Sequence, residues 1–241
     1  MKQVIIIGDS HLMHDEEEHP SYTLVKKYIK SEKPDLLILN GDSLDFSYLS
    51  KFDESLFQLR EGKRLYKDIE MMRKELDFFE KYSKKMLYLE GNHEFRLTKR
   101  VQSLPNIADG IMSLDKLLKI NYWIPEIEQP IRIENSHLFC LHGKRYTIHF
   151  AAATLRDYMV NLAMGHTHRI QHSSLRGLDK EIGCWGVGCL CSKNPEWQNG
   201  KMNSWMNGFA QVYLHDNGNF TFNNIHIIDG SFAIGGKLWR L

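Results

Sequence analysis

Five short apolar runs in this sequence each stop at a glycine beside Asp, Asn or His, and that repeated ending constrains the fold more than any other feature. Residues 4–7 stop at Gly8-Asp9-Ser10-His11, residues 36–39 at Asn40-Gly41-Asp42, and residues 86–89 at Glu90-Gly91-Asn92-His93. Residues 139–141 stop at His142-Gly143, and residues 160–164 at Gly165-His166-Thr167-His168. Apolar runs of this length read as buried strands. In open α/β sheets ligands gather at the carboxyl ends of strands, so the five endings are expected to converge. Glycine at each lets the chain turn sharply. Burying this many polar groups with nothing to bind would be costly.

Between these strands the apolar spacing becomes helical. Leu24, Val25, Tyr28 and Ile29 share one face of a segment running from Pro20 to just before Pro34. Leu65, Ile69, Met72, Leu76 and Phe79 make a single stripe on an otherwise charged helix. Residues 107–119 and 147–158 read as two further helices. Beyond residue 170 short strands are expected at 184–190, 208–215 and 220–228, the last two joined as a hairpin across Asp216-Asn217-Gly218-Asn219. With no repeat or low-complexity tract, the expectation is an α/β unit of one domain spanning 1–241.

Composition narrows the function classes. Lys plus Arg number 31 against 30 Asp plus Glu, so no global field recruits nucleic acid or an anionic membrane. The opening run is shorter than a secretory core and no run is long enough to cross a bilayer, so a cytoplasmic protein is expected. Cys140, Cys184, Cys189 and Cys191 are too sparse for a disulfide framework and read as buried thiols.

Side chains two apart on an extended segment face the same side, so His166 and His168 present both rings to one small volume. Added to Asp9, His11, Asp42, Asn92 and His142, they form a set of oxygen and nitrogen donors without thiolate, suited to Mn²⁺, Fe or Zn²⁺. Seven ligands exceed the needs of one first-row ion, and a carboxylate can bridge two. The expectation is two divalent ions roughly 3.5–4 Å apart, which suits in-line attack of a metal-held hydroxide on phosphorus.

Gly8-Asp9-Ser10-His11, Gly41-Asp42-Ser43-Leu44-Asp45, Gly91-Asn92-His93-Glu94, His142-Gly143 and Gly165-His166-Thr167-His168 resemble, in order, the five blocks of the calcineurin-like metallophosphoesterase superfamily. The resemblance implies a four-layer αββα sandwich, with two mixed β-sheets flanked by helices and a dinuclear site at the strand ends. It implies that Asp9, His11 and His168 hold one metal, that Asn92, His142 and His166 hold the other, and that Asp42 bridges. It implies Mn²⁺ foremost, with Fe, Zn²⁺ or Ni²⁺ as substitutes. His93 would face the substrate as a catalytic group, and Asp45 would keep its imidazole charged. Phe46 and Ser47 stand where the protein Ser/Thr phosphatases of the superfamily carry Arg-Gly, which argues against that branch. The block "GNHEFR" with its basic continuation, and Trp205-Met206-Asn207-Gly208-Phe209, are similar to compact members found in bacteria and phages, several of which act on nucleotides or nucleic acids.

The function expected is therefore a phosphoesterase acting on a nucleotide or nucleic-acid phosphodiester or phosphomonoester. The alternative is a scaffold that keeps the fold and uses its site only for metal or protein binding; the presence of every ligand together with Asp45 and His93 weighs against it. Arg96, one helical turn past His93, and Arg169, next to the last ligand, are the candidate substrate-binding residues. Lys99, Arg100, Lys144 and Arg145 are candidates for a basic rim. Trp185, Trp197 and Trp205 are candidates to stack on a base, packing in the second sheet being the competing fate. His14 and His19 read as parts of a solvated acidic loop, and the walls of the site are expected from residues 43–60, 94–130 and 192–207.

Overall fold

A computed structural model of the chain describes residues 1–50, 61–104, 106, 112–125, 127–195, 198 and 200–241. Trp197 and parts of the expected walls, including 51–60 and 107–111, lie outside the described residues. In chain order the elements are β1 (Lys2–Ile7), α1 (Pro20–Glu32), β2 (Leu36–Asn40), a 3₁₀ turn (Ser47–Leu49), α2 (Leu65–Tyr82), β3 (Met86–Leu89), α3 (Glu94–Gln102), α4 (Leu114–Leu118) and β4 (Trp123–Ile124). There follow β5 (Ile131–Arg132), β6 (Leu138–Leu141), α5 (Phe150–Tyr158), β7 (Asn161–Met164), β8 (Ile170–Arg176), β9 (Glu181–Val187), β10 (Gly208–Leu214), β11 (Phe220–His226), β12 (Ser231–Ile234) and β13 (Lys237–Arg240).

The first sheet has the order β11-β10-β1-β2-β3-β4 and the second β5-β6-β7-β9-β8. β1 to β4 run parallel, as do β6, β7 and β9, while β10, β11, β5 and β8 join antiparallel. Parallel strands place their carboxyl ends on one edge, which is how the five Gly-flanked endings come together.

Strand alternation builds the layers. Ile5 and Ile7 of β1 point into a core shared with Leu24, Val25, Tyr28 and Ile29 of α1 and Met72, Leu76 and Phe79 of α2. Val4 and Ile6 point the other way, into a core shared with Leu138, Cys140, Ala163 and Val187 of the second sheet. Leu162 and Met164 of β7 then face Phe150, Ala151 and Leu155 of α5. The result is helix, sheet, sheet, helix, the four-layer α/β arrangement with two mixed sheets that the resemblance implies. The β12–β13 hairpin lays Phe232 and Trp239 against Tyr28 and closes the α1 side.

The structure departs from the sequence expectation at three elements. Residues 107–111 of the helix expected at 107–119 lie outside the described residues, and the described remainder is helical as α4, preceded by an extended Ser113 and stopped by left-handed Lys119. The strand expected at 184–190 is β9, which begins earlier and ends before Gly188, a glycine with φ of 83°. β8 carries no clear alternation, because as an edge strand it is mostly exposed or half-buried. Among the described residues no helix is long and apolar enough to cross a membrane. All four cysteines are free, and Cys140, Cys184 and Cys189 are buried as expected, while Cys191 is half-buried.

Candidate metal centre

The loops that carry the polar endings hold backbone conformations that most residues avoid. Asp9, His11, Asp42, His166 and His168 have φ of 52°, 48°, 50°, 67° and 56°, in the left-handed region where an L side chain is strained. Such residues cost on the order of 1 kcal/mol or more each and persist only when their surroundings fix them. Here the surroundings are the neighbouring loops. The Asp9 N–H donates to the Gly41 carbonyl (3.0 Å), the His11 N–H to the Asp42 carbonyl (2.9 Å), and the Met206 N–H to the His168 carbonyl (2.7 Å). Gly91 is required by close approach: a Cβ there would lie 2.2 Å from the Asp42 amide nitrogen.

The side chains so positioned meet in two groups that share one carboxylate. In the first, His11 Nε2 and His168 Nε2 are 3.1 Å apart and His168 Nε2 is 3.2 Å from Asp9 Oδ1. In the second, Asn92 Oδ1 lies 3.2 Å from His142 Nε2 and 2.6 Å from His166 Nδ1. Asp42 Oδ2 stands between them, 3.9 Å from His11 Nε2 and 3.4 Å from His142 Nε2. All seven residues singled out as ligands in the sequence are thus gathered in one place. Asp9, Asp42 and His142 are essentially without solvent exposure.

Electrostatics follows from this crowding. Burial alone would raise the Asp42 carboxyl, but His142, His93 and His11 outweigh it and hold it well below the ordinary range. Burial would lower His142, yet Asp42 and Asp9 bring it up to about 10. Burial dominates at His11, pushed down to about 3, and at His166, pushed down to about 4, so both rings are neutral near pH 7 and carry free lone pairs.

A family model, Calcineurin-like phosphoesterase, matches residues 2–179. The chain belongs to that family. No curated protein matches the sequence closely enough to count as a relative. Among solved structures it is similar to wild-type Vps29 complexed with Zn²⁺ from Entamoeba histolytica, at 14% identity and a TM-score of 0.51, over 99% of this chain and 98% of that one. It is also similar to Vacuolar Protein Sorting 29 from Cryptosporidium parvum, at 13% identity and a TM-score of 0.50, over 98% and 94% of the two chains. The E. coli phosphoesterase Yfce aligns at 17% identity with a TM-score of 0.49, over 96% of this chain and 97% of that one. At these identities the likeness to the two Vps29 structures is one of fold.

In this member of the family the residues fit the divalent ions that the family binds. Two imidazole nitrogens facing each other at 3.1 Å can share at most one proton between them, and together they form a ready pair of donors for a cation. His142 is already oriented for ligation: its Nδ1–H faces the Asn40 carbonyl at 2.7 Å, which leaves Nε2 toward Asp42 and Asn92.

His93 lies on the rim of the same centre. Its Nε2 is 3.9 Å from Asp42 Oδ2, and its Nδ1 is 3.3 Å from Asp45 Oδ1. Burial would lower its pKa, but Asp42 and Asp45 together raise it above the usual histidine value. Asp45 in turn, despite burial, is held at about 2 by His93, His11 and Arg96. Arg96 donates to the Asp45 carbonyl (3.0 Å) and lies against the His93 ring. Arg169 turns away from the ligands: it donates to the Thr147 carbonyl (3.1 Å) and rests 4.7 Å from the centre of the Tyr146 ring.

Three supporting residues are not evident from the sequence. The buried Glu94 carboxylate accepts hydrogen bonds from the N–H groups of Gly91, Asp42, Ser43 and Leu44 at 2.8–3.0 Å and from the Tyr88 hydroxyl, so it pins the second and third loops together. Its place in the "GNHE" block is the available signal. Asn40 holds His142 and donates through its amide to the Leu141 carbonyl (3.2 Å). His14 is not a solvated loop residue: Asp68 lies 2.7 Å from its Nδ1 and also accepts from Tyr48 (2.7 Å), which fastens α2 behind the site. His19 caps α1 by accepting from the Ser21 N–H (3.2 Å). Trp205 packs on the His168 ring at 4.0 Å, whereas Trp185 stacks between His172 and Phe222 in the sheet region.

Proposed function

We propose that the protein is a divalent-metal-dependent phosphoesterase with two ions at this centre. Asp9, His11 and His168 hold one, Asn92, His142 and His166 the other, and Asp42 is shared. The observation that carries the reading is the pair of ligand groups meeting at Asp42 Oδ2 with the His93 ring 3.9 Å from the same oxygen. When bound, the ions would supply a water acidified to near-neutral pKa and a positive cradle for phosphoryl oxygens. Mn²⁺ suits the oxygen and nitrogen donors best, with Fe, Zn²⁺ or Ni²⁺ as substitutes.

The chain's own residues account for the rest. His93, kept charged by Asp42 and Asp45, is placed to give its Nε2 proton to the departing ester oxygen. The Asp45 carbonyl, 2.5 Å from Nδ1, fixes the ring, the Asp45 carboxylate lies 3.3 Å from the same nitrogen, and Arg96 adds positive charge beside it. The substrate proposed is a nucleotide or nucleic-acid phosphoester, a choice supported by Arg96 and by the aromatic side chains Tyr146 and Trp205 flanking the ligand loops. Four free thiols support a reducing, cytoplasmic setting, and the intersheet core supports action as one domain.

The test is hydrolysis of p-nitrophenyl phosphate and bis-p-nitrophenyl phosphate by metal-stripped protein before and after reloading with Mn²⁺. Activity that appears only on reloading is the expected result. A reloaded protein inert toward both and toward nucleotides and single-stranded DNA and RNA would refute the reading.

A further inference from the structure

Beside the ligand loops stands an aromatic wall whose construction exceeds what packing requires. The Tyr146 ring lies 6.1 Å from the His166 ring, edge to face, and the Trp205 ring lies 4.0 Å from that of His168. The Trp205 indole N–H donates to the Tyr146 hydroxyl (2.9 Å), which ties the two rings to each other. The Arg169 guanidinium sits 4.7 Å from the centre of the Tyr146 ring and is anchored on the Thr147 carbonyl. Residue 205 is itself fixed, its N–H donating to the Asn203 amide oxygen (2.8 Å), while the next N–H bonds the His168 carbonyl (2.7 Å).

Despite these partners Tyr146 remains 49% exposed. A ring held by a hydroxyl hydrogen bond and backed by a cation, yet half open beside His166, is a preorganised stacking surface. Its immediate neighbours point to what it stacks. Lys144 faces Glu128 (2.5 Å) and Arg145 faces Asp157, so both cations of the expected basic rim on this side already have carboxylate partners. Recognition here falls to a planar ring rather than to a track of charges following a polyanion.

We propose that Tyr146, backed by Arg169 and braced by Trp205, is the platform on which the base of a nucleotide ester stacks while its phosphate lies at the metal centre. The proposal rests on the phosphoesterase reading and deepens it: the substrate is a nucleotide-sized ester chosen by its base. Arg169 is a positioning residue for that ring rather than a phosphate ligand.

The experiment is calorimetric binding to Mn²⁺-loaded protein of a non-hydrolysable adenosine 5′-phosphonate and of the matching ribose phosphonate that lacks the base. Wild type should bind the adenosine compound about tenfold tighter, within the range for one stacked base. Tyr146→Ala should erase that ratio and leave ribose phosphonate binding unchanged, whereas Tyr146→Phe should keep most of it. Equal affinities in wild type, or a ratio that survives Tyr146→Ala, overturn the platform alone. Failure of wild type to bind either compound with its ions in place overturns the platform together with the phosphoesterase reading.

Discussion

Asp42 and His93 face each other across 3.9 Å, yet their duties are separable. Asp42 is the shared ligand in the proposed centre, so Asp42→Asn should lose both bound metal and turnover. His93 touches no proposed ion; His93→Ala should keep the metal content of wild type and lose about 10²–10⁴ in kcat, the usual worth of a positioned proton donor. His142 has a consequence of its own for metal binding. With its pKa raised to about 10, the ring is protonated at pH 8 in the metal-free protein and must shed that proton to ligate. Metal binding at pH 8 should therefore release protons, seen as a heat of binding that changes with the ionisation enthalpy of the buffer. A heat independent of buffer would contradict it. The proposed ligands are readable in the sequence, because Asp, Asn and His beside glycine at the end of a buried strand are costly to the fold unless they bind something. The direction of Arg169 is not, since adjacency along the chain says nothing about which way a guanidinium turns.

α3 begins one residue after His93, and its first residue, Glu94, fastens the loops after β2 and β3 through four backbone N–H groups. Removing that acceptor leaves buried donors unpaired, at about 1–3 kcal/mol for one such group. Glu94→Ala should lower the thermal midpoint measured by calorimetry and weaken metal binding, because the left-handed turn at Asp42 depends on those bonds. An unchanged midpoint would mean that the carboxylate is dispensable. Apart from its place in the "GNHE" block, nothing in the sequence distinguishes Glu94 from an ordinary acidic residue in a helix's first turn, where the helix dipole alone favours it. β8 is equally hidden, since an edge strand that buries neither face has no alternation to read. The helices α1 and α2 are visible because Pro20 and Pro34 bracket the first and a continuous apolar stripe marks the second.

At the scale of the whole molecule the centre joins the two sheets. Asp9, Asp42 and Asn92 follow strands of the first sheet, while His142, His166 and His168 follow strands of the second. Ions held by both groups, as proposed, would act as staples between the layers, since ligands that bind only the folded state raise stability by mass action. At a hundredfold excess over Kd one ion contributes about 2.7 kcal/mol. For a chain of 241 residues that corresponds to a rise of roughly 5–10 °C in Tm, which chelation should reverse. The same layered plan explains what the sequence makes plain about the fold: strand endings announce the site, and the two-sided burial of β1 announces a sheet covered on both faces. The dinuclear phosphoesterase reading is tested most directly by measuring bound metal and ester hydrolysis in the same samples of wild type, Asp42→Asn and His93→Ala after loading with Mn²⁺. Two ions and turnover are expected in wild type, neither in Asp42→Asn, and two ions with turnover reduced at least about a hundredfold in His93→Ala. Full metal occupancy in wild type with no hydrolysis of any phosphate ester, or equal turnover in all three, would contradict it.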